Sequence, residues 1–153
     1  MTALAPPASA AGTTVTFTIT SGALTITVPA SSDLGSGAPG TTVSNAMGPM
    51  QVTDARALAS ASWTVTTSST DFQNISSTIP ASAMSYSPGT ITTTGTITVT
   101  PTPITLGNSA ATTLTGSAGV GDNSASWDPS LSVAVPANAI GGTYTGTVTN
   151  SVS

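Results

Sequence analysis

Apolar and polar residues alternate one by one along much of the chain. In Thr14-Val15-Thr16-Phe17-Thr18-Ile19-Thr20, Val15, Phe17 and Ile19 share one face and threonines take the other. Ser21-Gly22 reads as a turn, after which Leu24, Ile26 and Val28 repeat the alternation. Pro29 has no amide hydrogen to give a ladder and closes that strand. Period-two alternation rich in β-branched residues marks half-buried strands. The same pattern predicts strands at 50–53, 59–67, 83–86, 90–100, 111–116, 125–127, 131–135 and 143–152, with a Gly/Ser/Pro-rich loop over 31–40. The stretch 52–61 fits a single helical turn as an alternative, and no segment carries a sustained helical stripe.

These elements predict an all-β protein, an antiparallel β-sandwich with Greek-key, Ig-like connections. Composition supports a sandwich. Hydrophobic residues make up 38% of the chain but aromatics only 4%, so a core of small side chains must gain its stability from extensive layered packing. One domain is expected over 13–153. Residues 1–12 read as a residual signal-peptide tail or a linker, because Ala8-Ser9-Ala10 has the small-x-small form of a signal-peptidase site. Ser60-Ala61-Ser62-Trp63 recurs as Ser124-Ala125-Ser126-Trp127, and each copy is followed by an apolar-Pro-Ala step and a tyrosine; the echo lacks a solenoid's fixed period, and recurring strand-end chemistry explains it better than an ancient duplication.

Charge narrows the function. Arg56 is the single cation among 153 residues, there is no Lys, His, Cys or Glu, and the net charge is −4. Nucleic-acid binding needs many Lys and Arg to neutralise phosphates, so it is excluded. No apolar run approaches the length of a membrane span. Disorder is not expected, since the chain combines low charge with a mean hydropathy of +0.28. A surface of Thr, Ser, Asn and Gly with so little charge favours association with itself or with a neutral polymer, and Lys-free, hydroxyl-rich β chains suit an extracellular, cell-surface location.

The same poverty limits chemistry. A nucleophilic Ser or Thr has no His, Lys, Cys or Glu to act as base. Five aspartates remain, Asp33, Asp54, Asp71, Asp122 and Asp128, each in or beside a predicted turn, where Asp caps local amides. The chain therefore reads as non-enzymatic and without a cofactor. Asp122, Asn123 and Asp128 form a weak calcium candidate on oxygen count, with a plain turn as the competing explanation. Threonines between Thr92 and Thr100 are ordinary filler of a solvent-facing strand, and their irregular grouping does not make an ice-matching array. Trp63, Trp127, Tyr86 and Tyr144 either stack on sugar rings or fill an aromatic-poor core. Trp63 is in phase with Ala61 and Val65, which favours core, whereas Asp128-Pro129 places Trp127 at a strand edge. Trp63, Trp127, Asp128 and Tyr144 are the candidate ligand-binding residues.

In order along the chain, Leu24-Thr25-Ile26-Thr27-Val28-Pro29 with Asp33-Leu34-Gly35, then Ala61-Ser62-Trp63-Thr64-Val65-Thr66 with Asp71-Phe72, then Ile79-Pro80-Ala81, Ala125-Ser126-Trp127, Leu131 to Pro136 and Gly142 to Thr149 resemble a WxL-type cell-wall surface domain of Gram-positive bacteria. The resemblance covers most of the chain from about residue 13. It implies a secreted, non-catalytic protein that associates non-covalently with peptidoglycan, in company with other surface proteins. Two departures stand out. The first Trp-x-Leu is Trp63-Thr64-Val65, and the second is replaced by Asn150-Ser151-Val152. The leading expectation is thus wall association through Trp63 and the second-tryptophan loop. The alternatives are a self-assembling subunit of a fibre or surface array, joined by strand addition at edges such as 15–19 and 144–152, and a carbohydrate-binding adhesin using the Asp122–Asp128 loop.

Overall fold

The structure, a computed structural model, describes residues 1–153. It is all-β, with strands β1 (Leu24–Thr27), β2 (Thr42–Ala46), β3 (Met50–Asp54), β4 (Ala61–Ser69), β5 (Phe72–Gln73), β6 (Thr78–Ile79), β7 (Met84–Ser87), β8 (Thr92–Pro101), β9 (Ile104–Thr105), β10 (Ala111–Trp127), β11 (Ser130–Ala134) and β12 (Val148–Val152). A 3-10 turn at Ala81–Ala83 is the one helical piece, so the alternative helical turn at 52–61 does not form. All pairings are antiparallel. A six-stranded sheet has the path β1-β3-β10-β4-β12, with β8 also on β10. A four-stranded sheet, β2-β11-β7-β9, packs with it, and β5 and β6 form a small ribbon.

The expected sandwich is therefore present, with one sheet nearly closed on itself. Its organiser is β10. The stretches read as two strands, 111–116 and 125–127, are one strand of 17 residues. Its first part pairs with β4 and its last part with β3, while β8 follows the opposite edge throughout. Between them the register shifts at 116–119 and 120–124. Ala118 (φ 54°) and Gly121 (φ 65°) hold the left-handed backbone of this bend, and Gly95 (φ 71°) matches it on β8. Bulges of this kind increase twist and bend a strand. The sheet coils so far that its end strands, β1 and β12, come into contact without sharing a ladder.

Coiling creates the first core. Trp63, Val65 and Leu114 from one arm of the sheet meet Met50, Val52, Ala125 and Trp127 from the other. The two Ser-Ala-Ser-Trp copies thus do the same local work, each turning Ala and Trp inward on its strand. Gly116 lies directly against the Trp63 ring, where a Cβ would overlap the indole. A second core, Ile79, Met84, Tyr86, Leu106, Leu131 and Val133, lies on the four-stranded sheet, and Met47 packs against both. Tyr86 joins them by polar contacts. Its hydroxyl accepts a bond from Trp127 Nε1 (3.2 Å) and lies 3.8 Å from Met50 Sδ. Burial pushes its phenol above the ordinary pKa.

The chain's one cation is spent on a buried anion. Asp54 is 1% exposed, and its two oxygens accept from Arg56 Nε and Nη2, both at 2.8 Å. Arg56 Nη2 also donates to the Ser62 carbonyl (2.9 Å), pinning the irregular 55–60 link between β3 and β4. The guanidinium holds the Asp54 carboxyl below its usual pKa of 3.8, against an opposing push from burial.

Two further predicted strands change. The segment 14–20, expected as a strand, has no partner, and 143–147 is irregular apart from a single bridge between Gln73 and Thr145. β2, inside a stretch without clear alternation, was not expected at all. Two outcomes follow from the packing. Gly116→Ala should lower unfolding stability by about 1–3 kcal/mol through overpacking against Trp63, read from urea denaturation. Arg56→Ala should cost about 1.5–3 kcal/mol, the worth of hydrogen bonds to a charged group. Because the folded pKa of Asp54 is depressed, its contribution is present above the unfolded value of about 3.9 and lost as pH falls through the lower folded one. The stability difference between native and Arg56→Ala chains should therefore shrink below about pH 4.

Candidate functional site: an unpaired strand and an open slot

The segment before Gly22 is the least satisfied part of the molecule. Val15, Phe17 and Ile19 are 81%, 85% and 76% exposed, and residues 1–21 make no backbone hydrogen bond. The sequence writes a strand there, yet no ladder receives it. The chain joins the body at Gly22, whose N–H donates to the Ala55 carbonyl, followed by the return bond from the Ala55 N–H to the Ala23 carbonyl. An extended, uncharged apolar strand is the feature that folded proteins normally hide or guard with charge. Nothing guards this one: the first charged side chain in the sequence is Asp33.

The second feature is a slot on the side where the six-stranded sheet fails to close. One wall is the stretch leaving β1, residues 28–37, which makes no backbone–backbone hydrogen bond. The other wall runs through 139–150, where Thr145 and Thr147 bond Gln73 and Thr70 and the start of β12 ladders only with β4. Two adjoining cavities of about 710 and 330 Å³ lie between them. The larger is floored by Val43, Phe72, Ile79, Met84 and Val133, the smaller by Met47, Met50, Phe72 and Leu131. Leu34, Phe72 and Gly146 belong to both. Gly146 sits against the Phe72 ring, so any side chain there would strike it. The slot thus combines an apolar floor with one wall, 28–37, that has no backbone–backbone hydrogen bond, and a second wall whose β12 end is laddered on one side only.

The residues singled out as ligand candidates divide. Trp63 (2% exposed) and Trp127 (4%) are core, with their ring nitrogens bonded to Asn123 Oδ1 (3.5 Å) and the Tyr86 hydroxyl (3.2 Å). Neither offers a ring face to a sugar. Tyr144 lines the larger cavity, and its hydroxyl is tied to Ile140, donating to the carbonyl (2.9 Å) and accepting from the N–H (3.2 Å). Asp128 is exposed and accepts from the Gly48 N–H (3.0 Å).

The calcium candidates do not converge. Asn123 is buried and engaged with Trp63 and the Gly121 carbonyl, while Asp122 faces solvent. Asp128 lies six residues further, roughly 20 Å along an extended chain. Asp33 and Asp71 accept from the Gly35 and Ala81 amides, so they serve as local caps. The stretch replacing the second Trp-x-Leu is structural too, since Asn150 Oδ1 accepts from Thr67 (2.8 Å), which also bonds Thr113 (3.0 Å).

The floor of the slot was not visible in the sequence, because Leu34, Phe72, Met84 and Val133 come together only through the sheet order. The alternation at Val15–Ile19 was visible, and it gave a strand without saying what it would pair with. If Trp63 serves the core, Trp63→Ala should cost about 3–5 kcal/mol, seen as a lowered urea midpoint of the isolated protein with no ligand added.

Compared with models of known families, with curated proteins and with solved structures, the chain matches none.

Proposed function

We propose that this protein is a secreted, non-catalytic structural subunit of a cell-surface layer or fibre, joined to its neighbours by β-strand addition through residues 13–20. The observation that carries the reading is the exposed alternating row Val15, Phe17 and Ile19 on a segment with no backbone partner. Burying each of these side chains is worth about 1.5–3 kcal/mol, and main-chain bonds along an acceptor edge add to it. Net charge of −4 spread over a hydroxyl-rich surface offers little repulsion between copies. Secretion rests on the Ala8-Ser9-Ala10 pattern and on the near absence of charge.

Attachment to peptidoglycan is the second reading, favoured by the ordered WxL-like motifs. With Trp63 and Trp127 buried, this second reading would use the slot around Tyr144 instead. Sedimentation with isolated peptidoglycan, beside a tube containing none, separates the two. The subunit reading expects pelleting in both tubes, abolished by the triple variant Val15→Asp, Phe17→Asp, Ile19→Asp. Pelleting only with peptidoglycan, and equally by the triple variant, would replace it with wall attachment.

A further inference from the structure

We propose that the open slot between residues 28–37 and residues 139–150 is the acceptor for the N-terminal segment of a second copy of this chain. The inference rests on the strand-addition reading and names its partner and its site.

Complementarity comes first. The donor presents three apolar side chains at alternate positions, and the slot presents an apolar floor in two adjoining cavities beside a wall, 28–37, that makes no backbone–backbone hydrogen bond. An incoming strand finds main-chain partners along 28–37 as its apolar face goes down onto Phe72, Met84 and Leu131. Donor residues 13–20 carry no charge, and the only charged side chain lining the slot is Asp33. Neither side excludes the other electrostatically.

Reach then decides whose strand it is. The chain's own arm is tied down at Gly22 by the bond to Ala55. If it folded back at Thr20-Ser21, Ile19 would lie beside Gly22, Phe17 beside Leu24 and Val15 beside Ile26. The apolar row would end along β1, whereas the slot begins at Val28. From its own body, only the Ala/Pro-rich residues before Thr13 extend that far, and they lack the alternation. A second copy has no such tether. Its donor and acceptor surfaces are different, so the contact is heterologous, and each subunit that receives a strand still offers its own. The product is a head-to-tail row.

The test is a complementation experiment followed by sedimentation velocity. The donor-deficient chain is the triple Asp variant at 15, 17 and 19. The acceptor-deficient chain carries Val28→Asp and Ile140→Asp, both at exposed positions on the slot rim, where the fold tolerates them. The native chain should form a concentration-dependent series of species, and each variant alone should stay monomeric. Their equimolar mixture should give a two-subunit species and nothing larger, because only one working strand meets one working slot. A synthetic peptide of residues 13–21 should bind the donor-deficient chain, and the same peptide with Phe17→Asp should not. Assembly of the acceptor-deficient chain like the native one would overturn the slot while leaving strand addition standing. A native chain that is monomeric at every concentration would overturn both.

Discussion

The fold depends on one constraint: a chain poor in large side chains must enclose its two tryptophans between layers, and the bend in β10 is what brings the layers together. Without the register shifts at 116–119 and 120–124, Trp63 and Trp127 would lie far apart along one extended sheet. With them, both rings enter the same core and Val52, Val65, Leu114 and Ala125 fill the space between. Gly116 is required by the same geometry, because the strand crosses flush against the Trp63 ring. Polar bonds then fix orientation, through Trp127 to Tyr86 and through Trp63 to Asn123.

Coiling one sheet this tightly has a cost at its ends. β1 and β12 approach each other without pairing, and the connection to β2 leaves along residues 28–37 without a backbone–backbone hydrogen bond. The slot is thus a product of the same bend that makes the core. Sheets that close completely have no edges; this one stops short, and the segment that would supply another strand hangs outside the body.

Much of this was legible in the residues, for a physical reason. Strands with strict alternation, such as those at Leu24–Thr27, Ala61–Ser69 and Met84–Ser87, record their buried face directly. The interior role of Trp63 followed from its phase with Ala61 and Val65, both buried. Where the reading failed, the information was not local. β2 has a mixed pattern because its Val43 is only half-buried on a sheet edge, and β10 was split because its glycine-rich middle lacks apolar alternation. Trp127 does end its strand, as Asp128 and Pro129 indicate, and it is buried because β3 and Tyr86 cover it. Segment 14–20 has the pattern of a strand, and a pattern describes a face without guaranteeing a partner.

The engagement of Arg56 with Asp54 and Ser62 reaches beyond packing. Proteases of the trypsin type need a Lys or Arg side chain free to enter a deep acidic pocket, and these 153 residues hold one such side chain. It lies folded back on a buried carboxylate in the link between two strands of the principal sheet. To digestion by that class of enzyme the folded body is almost a blank surface, open only when the β3–β4 link comes apart.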